Sequence, residues 1–167
     1  MKRAFFIGRF QPFHLGHLSA IHEMEEAPDI DELIIGIGSA QYANTIYNPF
    51  TADERENMIR RSLDIKKPYQ IIVIDDINDY PRWVPYVKSI CPTFDVVYSG
   101  NTITKQLFEE KGYEVRISNR RIGISATEIR QMMIEGGNWQ DYVPEGTMTV
   151  ILEIDGVKRL REISRGK

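Results

Sequence analysis

A single cysteine, Cys91, stands among 167 residues. That scarcity excludes an internal disulfide and any multi-cysteine metal site, fits a reducing compartment, and leaves Cys91 as a packing residue. Positive charge is also in short supply. Lys and Arg total 21 against 24 Asp and Glu, giving a formal net charge of −3 and a pI near 5.7. The broad cationic field of a nucleic-acid binder is therefore missing; no nucleic-acid partner is expected, and any anion must be bound locally. No apolar run approaches membrane-spanning length, and Arg9 and Gln11 interrupt the first run too early for a signal-peptide core. The expectation is a cytoplasmic protein with no membrane partner. Internal repeats, low-complexity tracts and linkers are absent too, so residues 1–167 read as one domain, long enough for a sizeable core.

What is present alternates. Apolar runs at Arg3–Ile7, Glu32–Gly38, Gln70–Asp75 and Phe94–Ser99, with a shorter one at Glu114–Ile117, read as buried parallel strands. Helical segments fall between them. Leu18–Glu26 is one; Thr51–Ser62 is another, opened by a Thr51-x-x-Glu54 capping box. Arg82–Ser89 carries Pro85 in its first turn, and Thr102–Lys111 stops at Gly112. The pattern predicts an α/β, Rossmann-like, doubly wound sheet of about five strands with helices on both faces. Ligands of such sheets bind outside the carboxyl ends of the strands, where strand order reverses. Polar signals follow several strands: Gly8–His17, Ser39–Gln41, Asp75–Asp76 and Ser99–Asn101. The tail is ambiguous, because Thr147–Ile154 is β-branched enough for a strand yet also has helical spacing after Pro144.

The densest stretch is Gly8-Arg9-Phe10-Gln11-Pro12-Phe13-His14-Leu15-Gly16-His17. It lies between the first strand and a helix, where two histidines three apart can point the same way, toward the positive end of the helix dipole. Gly8 and Gly16 permit close backbone approach, Pro12 stiffens the turn, and Arg9 adds a forked cation. The ligand suited to this place is phosphate. A second stretch, Ile124-Ser125-Ala126-Thr127-Glu128-Ile129-Arg130, has capping-box spacing between Ser125 and Glu128; alone, it needs no more than a capped helix.

Together these stretches carry a resemblance. Gly8-x-Phe10-x-Pro12-x-His14-x-Gly16-His17 resembles the GxFxPxHxGH signature of the nucleotidyltransferase superfamily, and Ile124-Ser125-x-Thr127-x-x-Arg130 resembles its ISxTxxR element. The variant Gly-Arg-Phe-Gln-Pro-Phe-His looks most like archaeal-type nicotinamide mononucleotide (NMN) adenylyltransferases, as do Ser39-Ala40-Gln41, Asn48-Pro49-Phe50-Thr51, Ser99-Gly100-Asn101, the segment from Asp76 to Trp83, Glu110-x-Gly112-Tyr113 and Ile154-x-Gly156-Val157. The likeness spans nearly the whole chain. It departs at Ala43-Asn44, where the family usually has Ser-His, and at Tyr47, where some members have a phosphate-binding arginine.

The resemblance implies a transferase that joins ATP and NMN, as in-line attack on the α-phosphorus, into NAD and pyrophosphate. It implies His14, His17, Arg9 and Arg130 as catalytic groups, with both arginines steadying the leaving pyrophosphate. Gly8, Phe10, Gly16, Ser125, Thr127 and Arg130 would hold ATP. Ser39, Asp76, Trp83, Ser99, Gly100 and Asn101 would hold NMN or NAD, Trp83 by stacking on the pyridinium. It further implies Mg²⁺ carried on the ATP phosphates, two short helices over Glu145–Ile154 and Val157–Ser164 in a helical tail from about 144, and a homo-oligomer, a hexamer in archaeal relatives. The alternatives are an adenylyl- or cytidylyltransferase for phosphopantetheine, FMN or a choline-like phosphate, and a non-catalytic nucleotide-binding regulator. A fragment of an aminoacyl-tRNA synthetase is disfavoured by the lack of a KMSKS-like segment.

Overall fold

The apolar runs do become strands. The computed structural model describes residues 1–118 and 123–166; Lys167, the last residue of the expected helical tail, lies outside them. Strands β1 (Arg3–Gly8), β2 (Glu32–Ile37), β3 (Tyr69–Val73), β4 (Val96–Tyr98) and β5 (Glu114–Arg116) form one parallel sheet in the order β3-β2-β1-β4-β5. Helices α1 (Leu15–Glu26), α2 (Ala52–Ser62), α3 (Tyr80–Ile90), α4 (Thr102–Glu110) and α5 (Ala126–Glu135) follow successive strands, and α6 (Glu145–Glu153) and α7 (Gly156–Ser164) close the chain.

Two-residue alternation along the strands sorts the core into two layers. Ala4, Phe6, Leu33, Ile35, Val96 and Tyr98 face α1, α2, α5, α6 and α7. Phe5, Ile34 and Val97 face α3 and α4, with Val84, Val87 and Phe108 supplied by those helices. Covering both faces explains why every residue of β2 is buried. The chain steps from β1 outward to β3, then returns to lay β4 on the other side of β1. The reversal between β1 and β4 opens a crevice at their carboxyl ends.

Among the differences from the sequence reading, two helix starts have a local cause and one element is new. Helix α1 begins at Leu15, three residues before Leu18, because the His14 imidazole caps it. Helix α3 begins at Tyr80 under an Asp79 cap, so Pro81 occupies the first turn and Pro85 lies in the interior. A short 3-10 turn at Trp139–Tyr142, unforeseen, buries Trp139. The ambiguous tail is helical, with α6 and α7 placed as the resemblance implied.

Candidate active site

The loop from β1 into α1 is built on aromatic packing. Phe10 adopts a left-handed backbone, φ 57°, and its ring is buried edge-on to His17 at 4.8 Å. Phe13 stacks on His17 at 5.6 Å, and the His14 and His17 rings stack at 3.6 Å. Phe10 lies under His17 as its support. Gly8 is small for the same reason, since a Cβ there would sit 2.8 Å from Phe10 Cε1, so this glycine makes room for a ring.

The histidines form a reciprocal cap. His14 Nδ1 accepts from the amides of Gly16 (3.0 Å) and His17 (3.4 Å), and His17 Nδ1 accepts from the His14 amide (3.1 Å). The Gly16 and His17 amides are therefore committed to an imidazole. An Nδ1 that accepts is unprotonated, so each ring carries its proton on Nε2 and offers that N–H outward. Burial lowers the His14 pKa to about 4. Burial first, and the neighbouring His14 second, hold His17 well below its usual value. Both rings are thus neutral donors at pH 7.

Two cavities flank the carboxyl end of β1. The larger, about 700 Å³, is lined by His14, Gly16, His17, Ser99, Gly100 and Ser125, among others; the smaller, about 260 Å³, is lined by Arg9, Ser39, Asp76 and Trp83. Ile7, Gly8 and Asn101 belong to both. Ligand cavities typically run to about 300–1,000 Å³, so the pair together has room for two nucleotides.

Each wall has a local cause. Ser125 caps α5 by accepting from the Glu128 amide (3.2 Å), and Glu128 accepts from the Ser125 hydroxyl (3.2 Å). The Glu128 side chain thus bonds the capping hydroxyl instead of the capping backbone. Asn101 caps α4 through the Thr104 amide (2.9 Å), and the Ser99 hydroxyl accepts from the Asn101 amide (3.1 Å). Gly100 is exposed with open space around it. Asp76 accepts from the Asn78 amide (2.8 Å), and Trp83 leans edge-on against Phe108 at 5.5 Å.

Neither Arg130 nor Thr127 is in the lining of either cavity. The Arg130 guanidinium is buried and donates to the Gln11 carbonyl (2.8 Å) and the Thr127 hydroxyl (3.2 Å), arriving as a locked fork. Burial, and then the charge of Arg9, lower its pKa. Arg9 itself is exposed and lines the smaller cavity. Tyr47, where some relatives carry arginine, is exposed and outside the lining of either cavity.

Sequence reasoning missed the residues that hold these loops. Gln11 exchanges two bonds with the Phe50 backbone (3.0 and 2.9 Å), and Gln41 does the same with the Asp76 backbone (2.7 and 2.9 Å). Arg55 is wholly buried beneath both loops. Its signal was there to read: it shares the helical face of Met58 and Ile59, where a charge is out of place.

The cytidylyltransferase-like family model matches residues 5–132. The chain is 47% identical to the nicotinamide-nucleotide adenylyltransferase of Pyrococcus furiosus, over 98% of this chain and 90% of that protein. It is 50% identical to that of Methanococcus aeolicus, over 97% and 95%. In fold it matches a bifunctional NMN adenylyltransferase/ADP ribose pyrophosphatase from Francisella tularensis, with TM-score 0.82 and 20% identity, covering 98% of this chain and 53% of that one. A second structure of that protein, TM-score 0.76 and 21% identity with the same coverage, is complexed with AMP and a manganese ion. On these grounds the chain belongs to the cytidylyltransferase-like family, in its archaeal nicotinamide-nucleotide adenylyltransferase branch.

Proposed function

We propose that the protein transfers AMP from ATP to NMN, giving NAD and pyrophosphate, with ATP in the larger cavity and NMN in the smaller. The observation that supports this reading is the shared wall of Ile7, Gly8 and Asn101: a donor in one cavity and an acceptor in the other would meet across it, α-phosphorus to 5′-phosphate. A phosphate oxygen of NMN attacks that phosphorus in line, a new P–O bond forms as the α–β bridge breaks, and the pair of electrons leaves on pyrophosphate. No protein nucleophile is needed; positioning and charge stabilisation supply the catalysis.

In this reading the Nε2–H groups of His14 and His17 donate to triphosphate oxygens as negative charge grows. Ser125, Thr127 and Arg130 hold the β- and γ-phosphates, and Gly16 leaves room for them. Arg9, on the wall of the smaller cavity, neutralises the phosphates that must meet. Asp76, Ser39 and Asn101 orient the acceptor and its ribose, Ser99 and Gly100 reach the dinucleotide from the wall of the larger cavity, and Trp83 stacks on the pyridinium. Mg²⁺ enters as part of the ATP substrate, a hard cation on phosphate oxygens. We also propose that residues 1–167 act as one catalytic unit and assemble as a homohexamer in the cytoplasm; light scattering would read six copies, and a monomer would refute the assembly.

An acceptor panel tests the reaction. With purified protein and Mg²⁺, pyrophosphate release should require ATP and NMN together. Release with CTP, or with phosphopantetheine, FMN or choline phosphate in place of NMN, at an equal or greater rate would replace this reading with another transferase of the superfamily. ATP binding with no turnover on any acceptor would leave a nucleotide-binding regulator.

A further inference from the structure

Among the described residues Arg55, on α2, is the largest fully buried side chain, and it is charged. Its own carboxylate neighbour is engaged elsewhere: Glu54 takes both arms of Arg159 (2.6 and 2.7 Å). The guanidinium is instead satisfied by backbone carbonyls. Nη1 donates to Arg9 and to Gly38, each at 2.9 Å. Nη2 reaches Ser39 (3.4 Å), Ala40 (3.4 Å) and Tyr42 (3.3 Å), and Nε donates to Thr51 (3.2 Å).

A charge in this place is expensive. Burying a guanidinium whose neighbouring carboxylate, Glu54, is bonded to Arg159 is costly even after relaxation, and an apolar side chain would pack α2 against the sheet without that cost. What the fork adds is geometry. Its two short bonds run to different loops, Arg9 in the β1–α1 loop and Gly38 in the β2–α2 loop. Three of the carbonyls it holds belong to residues lining the smaller cavity, Arg9, Gly38 and Ser39. None of them belongs to a residue lining the larger cavity. Ser39 has a left-handed backbone, φ 47°, of the kind that persists only where its surroundings hold it.

We propose that Arg55 is a positioning residue for the acceptor half of the site, clamping the two loops that carry Arg9 and Ser39 so that the bound acceptor phosphate stays in line for attack. It touches neither substrate. The inference rests on the assignment of the smaller cavity to NMN, and it predicts a one-sided defect. Lysine keeps the charge but, as a point donor on a flexible stem, cannot bridge two loops with a planar fork.

The test compares wild type with Arg55→Lys and Arg55→Met by steady-state kinetics with each substrate varied, by calorimetric binding of a non-hydrolysable ATP analogue, and by thermal melting. Displacement of a substrate by about 1 Å can cost roughly a hundredfold in rate. Both variants should therefore lose at least about tenfold in kcat/KM for NMN, while the ATP analogue binds within about twofold of wild type. Arg55→Lys should fail to rescue. The proposal is overturned if Arg55→Lys restores wild-type kinetics with NMN, if ATP-analogue affinity falls in parallel, or if neither variant folds where wild type is active, which would make Arg55 a stability residue alone. Wild-type protein that forms no NAD would instead refute the reaction assignment, before any variant is compared.

Discussion

Two imidazoles that cap their own helix have given up Nδ1 and kept Nε2–H. That is a better arrangement for a triphosphate site than two free cations, because the donors are aimed in advance and carry their proton at every physiological pH. His14 sits near pKa 4 and His17 well below its usual value, against an unfolded value of about 6.5. On acidification the unfolded chain therefore takes up protons first. The stabilising contribution of the neutral rings is complete above about pH 6.5 and is lost as pH falls below it. NMR of the imidazole nitrogens should show the Nε2–H tautomer for both residues throughout pH 5.5–8; titration of either near 6.5 would contradict this. Replacing His17 with Ala should lower kcat by about 10²–10³, the usual effect of deleting one preorganised donor, while NMN affinity stays near that of wild type. An unchanged kcat would remove His17 from the mechanism. On the other side of β1, NMN should quench Trp83 fluorescence; identical quenching in Trp83→Phe would assign the signal to another group.

At the scale of elements, the helices that hold the site lean on one another at points without slack. Helix α6 approaches α2 so closely that a Cβ on Gly146 would lie 2.5 Å from the Arg61 carbonyl carbon, a backbone atom that cannot turn aside. Gly146→Ala should cost about 1–3 kcal/mol by overpacking, seen as a lower Tm. A wild-type Tm would show that the two helices can part. Helix α7 holds the start of α2 through Arg159, which donates to both Glu54 oxygens and to the Pro49 carbonyl (3.0 Å). Burial alone would raise the Glu54 carboxyl, but the bonds from Arg159 and the Thr51 amide outweigh it and leave the pKa below normal. Stability from this pair is present above the usual carboxylate range and disappears in acid.

These elements differ in how openly the residues announced them. The strands and α2 were legible because apolar runs and a Thr51–Glu54 box are local signals. The start of α1 was not, because histidine is outside the usual set of capping residues. Nor were the bonds of Gln11 to Phe50 and Gln41 to Asp76, which join residues 39 and 35 positions apart. The motifs marked the residues around the crevice, but the packing of Phe10 beneath His17, and of Gly8 against Phe10, was not legible, because a motif records which residues are required without saying what they touch.

For the whole molecule, the fold's contribution is the reversal of strand order between β1 and β4. It puts the capped ends of α1, α4 and α5 around one crevice and leaves β1 as the partition between two cavities. Among the described residues no helix is long and apolar enough to cross a membrane. The central claim is that an adenylyl group crosses that partition. The most direct measurement supplies ATP labelled at the α-phosphorus, with NMN and Mg²⁺, and follows the label. The account predicts labelled NAD in a one-to-one ratio with unlabelled pyrophosphate; label that never enters a dinucleotide would contradict it.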